Sequence, residues 1–360
     1  MKASLVRAKG VIECIETSEP EFPAGSVLIR TLHASLCGSD LHHLYTPFGA
    51  GNEHARPGAP GHEAVGVVIE SRAEAYRAGQ LVLTTPEVGR AACFAEYQVL
   101  SPEFLLPLPA GTPPEQLVLA QPLGTVIFGL KHLMPAVVPE TAVVLGQGCI
   151  GLFFTWLLKR AGVGQVIASD LEAARCTLSR RLGADLALDG GDGRLLDAVR
   201  DQTRGRGAPL VIEAAGADGS RIQALHAAAE GGMVGFFGLP TSAAMDGFPA
   251  AALFRKKLTI RAVHGTQAEP GLASFREALG LIESGAIDVT PLLTHRFALE
   301  QIGAAFAAAR ERRDGLLKTA IHFDQVKDAD FGSGAGDDAR RPFASQAAPA
   351  APIASATIIS

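Results

Sequence analysis

The chain lacks the closely spaced cysteine pairs that hold a structural metal or build a disulfide framework. Its five cysteines lie at positions 14, 37, 93, 149 and 176, and none belongs to a C-x-x-C pair. An odd, scattered set with no signal peptide is typical of the reducing cytoplasm, where a cysteine is buried, catalytic or bound to a metal. The sequence therefore predicts a cytoplasmic protein.

The chain also lacks an excess of positive charge and a convincing membrane segment. Its 32 Lys and Arg residues are fewer than its 37 Asp and Glu residues, and the net charge of −5 gives no reason to expect nucleic acid or an anionic membrane as a partner. One run of 18 residues, 141–158, carries no charge. It approaches the lower limit for a membrane span, but three glycines and Gln147 within it disfavour that interpretation.

The three glycines of that run form a G-x-G-x-x-G pattern at Gly146, Gly148 and Gly151. The pattern stands between an apolar run at 142–145, which predicts a buried parallel strand, and a mostly apolar helix candidate at 152–160. In this position the first glycine permits a tight turn, the second leaves room for a pyrophosphate, and the third lets the helix pack close to the strand. The alternative is an ordinary α/β domain in which the glycines serve only packing.

A carboxylate at the expected distance favours a dinucleotide site over that alternative. A second strand candidate at 165–169 ends at Asp170, nineteen residues after Gly151. A carboxylate there accepts hydrogen bonds from the ribose hydroxyls and repels a 2′-phosphate. The pattern therefore predicts that the chain binds NAD rather than NADP.

The arrangement of apolar segments changes along the chain and predicts an α/β fold. Residues 1–122 alternate short apolar runs with Pro and Gly turns, which indicates a β-rich domain. Residues 123–264 alternate strand and helix candidates, which is typical of a doubly wound parallel sheet. Residues 265–323 hold two helix candidates and a last strand, and we expect them to return to the first domain. Residues 324–360 mix Gly, Ala, Ser, Pro and Asp without apolar periodicity, which predicts a disordered tail.

Reactive side chains are concentrated in two segments of the first domain. The first is C-G-S-D-L-H at 37–42, and the second, G-H-E-A-V-G at 61–66, places His62 twenty-five residues after Cys37. A thiolate and an imidazole brought together from two loops make half of a zinc site. Zinc would act as a Lewis acid that stabilises the alkoxide during hydride transfer from an alcohol.

The residues that follow Cys37 also suit proton transfer. Ser39 and His42 are close enough in sequence to form a hydroxyl-to-imidazole relay that carries the alcohol proton to solvent. Asp40 could accept the free ring N–H of His62 and fix its tautomer.

In their order and spacing, these motifs resemble the medium-chain dehydrogenase/reductase superfamily, in its zinc-dependent alcohol and polyol dehydrogenase branch. The resemblance, to sorbitol and threonine dehydrogenases among others, covers about residues 3–323. Its blocks are C-G-S-D-x-H at 37–42, G-H-E-x-x-G at 61–66, A-E-Y at 95–97, Q-P-L at 121–123, G-x-G-x-x-G at 146–151 and D-G-L-L-K at 314–318. It implies a β-rich, GroES-like catalytic domain with a partly open barrel beside a Rossmann domain. It also implies a homodimer or homotetramer joined through sheet edges, with 231–238 and 258–263 as the candidate segments.

The resemblance assigns roles to individual residues. It implies that Cys37 and His62 bind one catalytic zinc, and that Ser39 and His42 relay the proton. The residues that it implies for NAD are Gly146, Gly148, Gly151 and Asp170, with Lys318 at the phosphates and Arg175 beside the adenine. A solvated helix charge is an equally good interpretation of Arg175.

Two features of the chain depart from the family pattern. Gln121 stands before Pro122, where relatives place a Cys, Glu or Asp, and a neutral amide is a poor zinc ligand. Glu63 could be the third ligand instead, with water in the fourth position, because Cys⁻, neutral His and Glu⁻ balance the charge of Zn²⁺; it could equally be a carboxylate outside the coordination sphere. The chain also lacks the four-cysteine lobe that holds a structural zinc in many relatives, so at most one zinc is expected.

Polar residues near the expected metal favour a polyol, sugar or cyclitol as the substrate over a simple aliphatic alcohol. These residues are His43, Asn52, Glu53, His54 and Gln121. The expected reaction is the NAD-linked interconversion of a secondary alcohol and its ketone. The alternatives are a zinc-free quinone or enoyl reductase of the same superfamily and a non-catalytic NAD-binding regulator.

Overall fold

Two large β-sheets occupy the part of the chain described by a computed structural model, residues 1–46, 56–109, 111–190 and 193–323. The strands are β1 (Lys2–Ala8), β2 (Val11–Glu16), β3 (Val27–Leu36), β4 (Glu63–Ser71), β5 (Leu81–Thr84), β6 (Tyr97–Leu100), β7 (Leu105–Pro107), β8 (Thr141–Leu145), β9 (Gln165–Asp170), β10 (Leu186–Asp189), β11 (Ala208–Glu213), β12 (Ala228–Phe236), β13 (Thr259–Ala262), β14 (Leu293–Ala298) and β15 (Lys318–His322). The α-helices are α1 (Gly38–Tyr45), α2 (Pro114–Leu117), α3 (Ala120–Leu133), α4 (Cys149–Arg160), α5 (Ala173–Arg181), α6 (Leu195–Gln202), α7 (Asp218–Ala227), α8 (Ala250–Lys256), α9 (Ala273–Glu283) and α10 (Ile302–Glu311). The predicted tail and the predicted pocket residues Asn52, Glu53 and His54 lie outside the described residues.

The first sheet is built from both ends of the described chain. Its order is β14-β15-β3-β4-β5-β7, and β6 pairs with β3. β15 runs antiparallel to β3 and parallel to β14. The late strands therefore extend the sheet that the early strands begin, while β1 and β2 form a separate antiparallel pair.

The second sheet is parallel throughout, in the order β10-β9-β8-β11-β12-β13. All five residues of β8 are buried, as expected for a central strand covered by helices on both faces. The chain proceeds from β8 outward to β10 and then crosses to β11, on the other side of β8. The carboxyl ends of β8 and β11 thus flank the switch point at which doubly wound sheets bind ligands. The predicted fold class, a doubly wound parallel sheet beside a β-rich domain, is confirmed.

The largest buried cluster lies around α3, which packs against α4 and α9, while α4 packs against β8 and β9 of the parallel sheet. Phe153 and Phe154 of α4 and Phe275 of α9 are fully buried within it. Gly124 allows α9 to approach α3 closely, because a Cβ at that position would overlap the Phe275 side chain. The sequence does not predict α3, since Pro122 and two glycines interrupt its helical pattern, and it does not predict α6, α8 or β10 either.

The uncharged run at 141–158 is divided by the glycine turn. Its first part is the strand β8, and its second part belongs to the helix α4. Within the described residues, none of the helices combines the length and the apolar composition that crossing a bilayer requires.

Candidate active site

The pairing of two adjacent strands brings the predicted metal ligands together. β3 and β4 are antiparallel, and their register places Ser35 opposite Glu63. Cys37 follows β3 directly, as the residue that caps the start of α1. His62 directly precedes β4. A sulfur of Cys37, a ring nitrogen of His62 and a carboxylate oxygen of Glu63 consequently lie within 4.8 Å of one another.

Asp40 orients both Cys37 and His62. Its carboxylate is fully buried, and one oxygen accepts the backbone N–H of Cys37 at 2.8 Å. The other oxygen lies 3.0 Å from Nδ1 of His62. Burial lowers the pKa of His62, but the charge and hydrogen bond of Asp40 together with the adjacent Cys37 outweigh burial and raise that pKa well above its ordinary value. Nδ1 faces Asp40, so Nε2 is the nitrogen available to a metal.

Glu63 has one oxygen with partners and one without. Its side chain is fully buried, and Oε2 accepts hydrogen bonds from Nζ of Lys318 at 2.6 Å and from the hydroxyl of Ser35. Within the described residues, Oε1 makes no hydrogen bond. Burial raises the pKa of Glu63, but Lys318, His62 and the hydrogen bond from Ser35 together outweigh burial and lower that pKa. A buried carboxylate oxygen without a partner is costly, so its position beside Cys37 and His62 fits a bound cation.

Lys318 is the first residue of β15, and its side chain is buried beside the carboxylate of Glu63. Burial lowers the pKa of Lys318, but the combined attraction of Glu63, Cys37 and Cys149 outweighs burial and raises that pKa. The resemblance places this side chain at the dinucleotide phosphates, whereas the structure pairs its amino group with Glu63. Its role at the phosphates stays a prediction that requires this ion pair to open or be shared.

Ser39 and His42 are both on α1, three residues apart. The hydroxyl of Ser39 lies 3.3 Å from Nε2 of His62. No hydrogen bond joins Ser39 to His42 among the described residues, so a direct relay between them is not formed. Burial, and then the neighbouring His43, lowers the pKa of His42. A neutral imidazole there can accept a proton through a ligand hydroxyl or a water molecule that bridges the gap.

Gln121 lies in the first turn of α3 and is buried, with 5% of its surface exposed. It borders the same cleft as Cys37, His62 and Glu63. In the described part of the chain its side-chain amide has no hydrogen-bond partner. The amide is therefore available to a ligand in the cleft.

The glycine turn connects β8 to α4 as predicted from its pattern. Gly146 has a positive φ of 88°, and a Cβ at Gly151 would overlap the carbonyl oxygen of Gly146. Gly148 is different, because a Cβ there would approach only the side chain of Arg175, at 3.9 Å. The space beside Gly148 is therefore open, as close approach of a pyrophosphate requires.

Asp170 ends β9 beside this turn. Its oxygens accept the backbone N–H of Gln147 at 2.5 Å and of Glu172 at 2.9 Å. Arg175 lies 3.8 Å from the same carboxylate and donates to the carbonyl of Leu316 at 3.0 Å. Burial lowers the pKa of Arg175, and Asp170 opposes this effect. Arg175 is thus held against Asp170 rather than being a freely solvated helix charge.

A cleft of about 730 Å³ runs between the two sheets. The metal-ligand candidates Cys37, His62 and Glu63 line one side of it. Loops that follow β11 and β12, including Ala214 and Phe237, line another side. Glu213, the last residue of β11, belongs to none of the motifs in the sequence; an acidic residue at the end of an apolar strand is the signal that points to it.

Comparison with known proteins identifies the family. The family described as "Alcohol dehydrogenase GroES-like domain" matches residues 23–110, and the family described as "Zinc-binding dehydrogenase" matches residues 149–284. L-threonine 3-dehydrogenase of Bacillus subtilis (strain 168) is 29% identical over 88% of this chain and 97% of its own length. An alcohol dehydrogenase of Cupriavidus necator is 28% identical over 89% of this chain and 98% of its own length.

Solved structures agree with that comparison at the level of the fold. The alcohol dehydrogenase TADH from Thermus sp. ATN1 superposes with a TM-score of 0.77 at 23% identity, covering 89% of this chain and 99% of its own. Galactitol-1-phosphate dehydrogenase from Escherichia coli superposes with a TM-score of 0.77 at 20% identity, covering 89% of this chain and 100% of its own.

The fold and the cleft define a zinc-binding oxidoreductase that uses a nicotinamide cofactor. More narrowly, the chain belongs to the medium-chain dehydrogenase/reductase superfamily, in its zinc-dependent alcohol dehydrogenase branch. The predictions of this family, of zinc and a nicotinamide cofactor, and of an enzyme acting on CH–OH donors are confirmed.

Proposed function

We propose that the protein interconverts a secondary alcohol of a polyol, sugar or cyclitol and the corresponding ketone, with NAD as the hydride acceptor. The observation that carries this proposal is the group of Cys37, His62 and Glu63, which borders the same cleft as the loops at the switch point of the parallel sheet. Hydride transfer requires the reacting carbon to lie between an electrophile and the nicotinamide. In this cleft the metal-ligand group would hold the electrophile, and the loops of the parallel sheet would hold the nicotinamide.

The residues that would hold zinc are Cys37 through its thiolate, His62 through Nε2 and Glu63 through Oε1. The two negative ligands and the neutral imidazole balance the charge of Zn²⁺. When bound there, zinc supplies a Lewis acid that lowers the pKa of the substrate hydroxyl. We favour Glu63 over Gln121 as the third ligand, because the unpartnered carboxylate oxygen of Glu63 is a better donor than an amide.

Ser39 and His42 would accept and remove the substrate proton. The Ser39 hydroxyl lies beside the metal-ligand group, and the lowered pKa of His42 keeps its imidazole neutral at pH 7. Since no hydrogen bond joins the two side chains among the described residues, the proton would pass between them through a hydroxyl of the bound ligand or through water.

NAD rather than NADP would occupy the dinucleotide site. The carboxylate of Asp170 lies at the end of β9, beside the glycine turn, where the adenosine ribose is expected. A 2′-phosphate at that place would meet the negative charge of Asp170. Arg175 offsets only part of this charge, because it lies 3.8 Å away and also donates to Leu316.

A substrate with several polar groups accounts for the lining of the cleft. The free amide of Gln121 faces it, and His43, Thr46 and Glu87 also border it. Among the relatives, the Bacillus subtilis enzyme is named L-threonine 3-dehydrogenase, and threonine likewise carries polar groups next to its secondary hydroxyl. A simple aliphatic alcohol would leave the buried amide of Gln121 without a partner, at a cost of about 1–3 kcal/mol.

The test is a panel of initial rates for the zinc-loaded enzyme. It includes polyols and cyclitols, matched primary and secondary aliphatic alcohols, and quinones or enones with NADH. Preferential oxidation of the polyhydroxylated compounds with NAD supports the proposal. Turnover of quinones or enones alone indicates the reductase alternative, and NADH binding without any turnover indicates the regulator.

Gln121 provides a sharper test of the substrate class. In Gln121→Leu we expect kcat/KM for the best polyol to fall about tenfold or more, while kcat/KM for an aliphatic secondary alcohol changes little. Gln116→Leu, the same change in α2 at a residue that does not line the cleft, is the control. An equal loss for both substrates would contradict a role of Gln121 in reading a second polar group.

For the oligomeric state, we propose a dimer formed through the edge strand β13. Of the two segments expected to join subunits, 231–238 is mostly β12, which is enclosed between β11 and β13 and cannot form an edge. β13 pairs with β12 on one side only within the described residues, and Thr259, Arg261 and Ala262 are exposed. A monomeric mass by light scattering at micromolar concentration would contradict this proposal.

The proposed compartment is the cytoplasm. All five cysteines are free thiols, which is the state expected where glutathione keeps thiols reduced. Recovery of the enzyme in an oxidising extracellular fraction would contradict this assignment.

A further inference from the structure

A buried carboxylate outside the metal-ligand group lies at the switch point of the parallel sheet. Glu213 is the last residue of β11, and its side chain is fully buried. Its Oε1 accepts hydrogen bonds from the backbone N–H groups of Ala215 and Gly216, both at 2.8 Å, and from the hydroxyl of Ser220 at 2.6 Å. One oxygen therefore fixes the loop at 214–216 and the start of α7.

Arg221 connects the same carboxylate to a second loop. It is 6% exposed, and its Nε lies 3.8 Å from Oε2 of Glu213. Its Nη2 donates to the carbonyl of Gly238 at 2.8 Å. The backbone carbonyl of Glu213 also accepts the N–H groups of Phe237 and Gly238, at 2.9 and 3.0 Å. The loop after β12 is thus tied to the end of β11 from both sides.

The two loops pack closely against each other, and the loop after β11 also packs against the glycine turn. A Cβ at Gly216 would overlap the carbonyl of Leu239, and one at Gly238 would overlap the backbone of Gly216. A Cβ at Gly146 would come within 2.9 Å of the backbone nitrogen of Ala215. A small shift of either loop would therefore change the shape of the turn or of the cleft.

Both loops border the cleft that contains the metal-ligand candidates. Ala214, Ala215, Phe237, Gly238 and Leu239 line it together with Cys37 and His62. The adenosine end of the cofactor is expected on the far side of β8, at Asp170, so a dinucleotide that crosses the switch point toward Cys37 passes along these loops.

We infer that Glu213 is a positioning residue for the nicotinamide half of the cofactor. With Arg221 it fixes the two loops that form the cleft wall between the glycine turn and the metal-ligand group. A buried carboxylate is retained there because it satisfies three donors at one oxygen and holds Arg221 across the second loop, which an apolar residue could not do. This role concerns the cofactor and does not depend on the identity of the alcohol.

The test measures two ligands on the zinc-loaded enzyme without any alcohol present. Binding of NADH, followed by its fluorescence, reports the whole dinucleotide site, and binding of ADP, followed by calorimetry, reports mainly the glycine turn and Asp170. In Glu213→Gln we expect the Kd for NADH to rise about tenfold and the Kd for ADP to change less than about threefold, because the lost charge-assisted hydrogen bonds hold the loops rather than the turn.

Two further variants separate a local effect on the loops from general misfolding. Ser220→Ala removes one of the three donors on a partly exposed residue, and we expect a smaller change in the same direction for NADH. Glu230→Gln, an exposed carboxylate paired with Lys257, is the control and should leave both ligands unchanged. With saturating cofactor, kcat of Glu213→Gln should stay within about threefold of wild type while KM for NAD rises.

Either of two results would overturn the inference. The first is an unchanged Kd for NADH in both Glu213→Gln and Ser220→Ala. The second is a loss of ADP binding in Glu213→Gln equal to the loss of NADH binding, since a merely structural role affects both halves of the site alike. Neither result bears on which alcohol the enzyme oxidises, so a failure here is distinguishable from a failure of the proposed substrate class.

Discussion

At the scale of single residues, the metal-ligand group depends on partners that are distant in sequence. The sequence predicted Cys37, His62 and Asp40 correctly as neighbours, because all three lie in two short segments that a β-hairpin-like pairing brings together. It gave no indication that Lys318 would pair with Glu63. That contact follows from the placement of β15 beside β3, and no local pattern near Lys318 encodes it.

Asp40 should control how tightly the site holds zinc. In Asp40→Asn we expect the zinc affinity to fall about 10- to 100-fold, because the amide no longer stabilises the orientation and basicity of His62. Competition with a chromogenic chelator measures this affinity. Asp288→Asn, an exposed carboxylate far from the ligands in sequence, should leave it unchanged. Equal affinities for Asp40→Asn and wild type would contradict the positioning role.

His42 should make the folded state sensitive to acid. Its pKa is lowered by burial from an ordinary value of 6.5, so below that pH the unfolded chain binds protons more readily than the folded chain. Above about pH 6.5 the imidazole is mostly neutral in both states and does not change the unfolding free energy. Below that pH the unfolding free energy decreases as the pH falls through the folded pKa. In His42→Gln the drop in unfolding free energy between about pH 7.5 and pH 5.5 should be smaller, as measured by urea denaturation. The same drop in both proteins would show that His42 is not the group that titrates.

At the scale of secondary-structure elements, the parallel sheet was largely predictable and the helices around it less so. β8 and β9 have the continuous apolar pattern of buried strands, and the glycine turn between β8 and α4 has a fixed spacing. α3 shows the opposite case. Its Gly124 and Gly129 weaken the helical signal, yet each makes room for a phenylalanine, Phe275 and Phe237 respectively, so tertiary packing decides what the local sequence does not.

The tight contact within the glycine turn gives an element-level prediction. Gly151→Ala should weaken NADH binding by at least about tenfold and destabilise the fold, because its Cβ would overlap the carbonyl oxygen of Gly146 and push α4 away from β8. Gly280→Ala, in α9, has open space at its Cβ and should stabilise the protein by about 0.5–1 kcal/mol. NADH titration and thermal unfolding measure the two effects. Unchanged NADH binding in Gly151→Ala would contradict the assignment of this turn.

At the scale of the whole molecule, function arises because two sheets of different construction meet at one cleft. The mixed sheet supplies the metal-ligand candidates at the junction of β3 and β4, and the parallel sheet supplies the loops at its switch point. The sequence predicted both sheets from their different patterns. It did not predict how their loops interlock, because contacts such as those of Gly216 with Leu239 depend on the assembled sheet and not on local spacing.

The activity proposed for this cleft requires that Cys37, His62 and Glu63 hold one catalytic zinc ion. The most direct measurement is zinc content per chain, by elemental analysis, of protein purified without chelator. We expect about one zinc in wild type, almost none in Cys37→Ser, and about one in the matched control Cys14→Ser, whose residue lies in β2 and does not border the cleft. No zinc in wild type, or zinc retained in Cys37→Ser, would show that these residues do not form a zinc site.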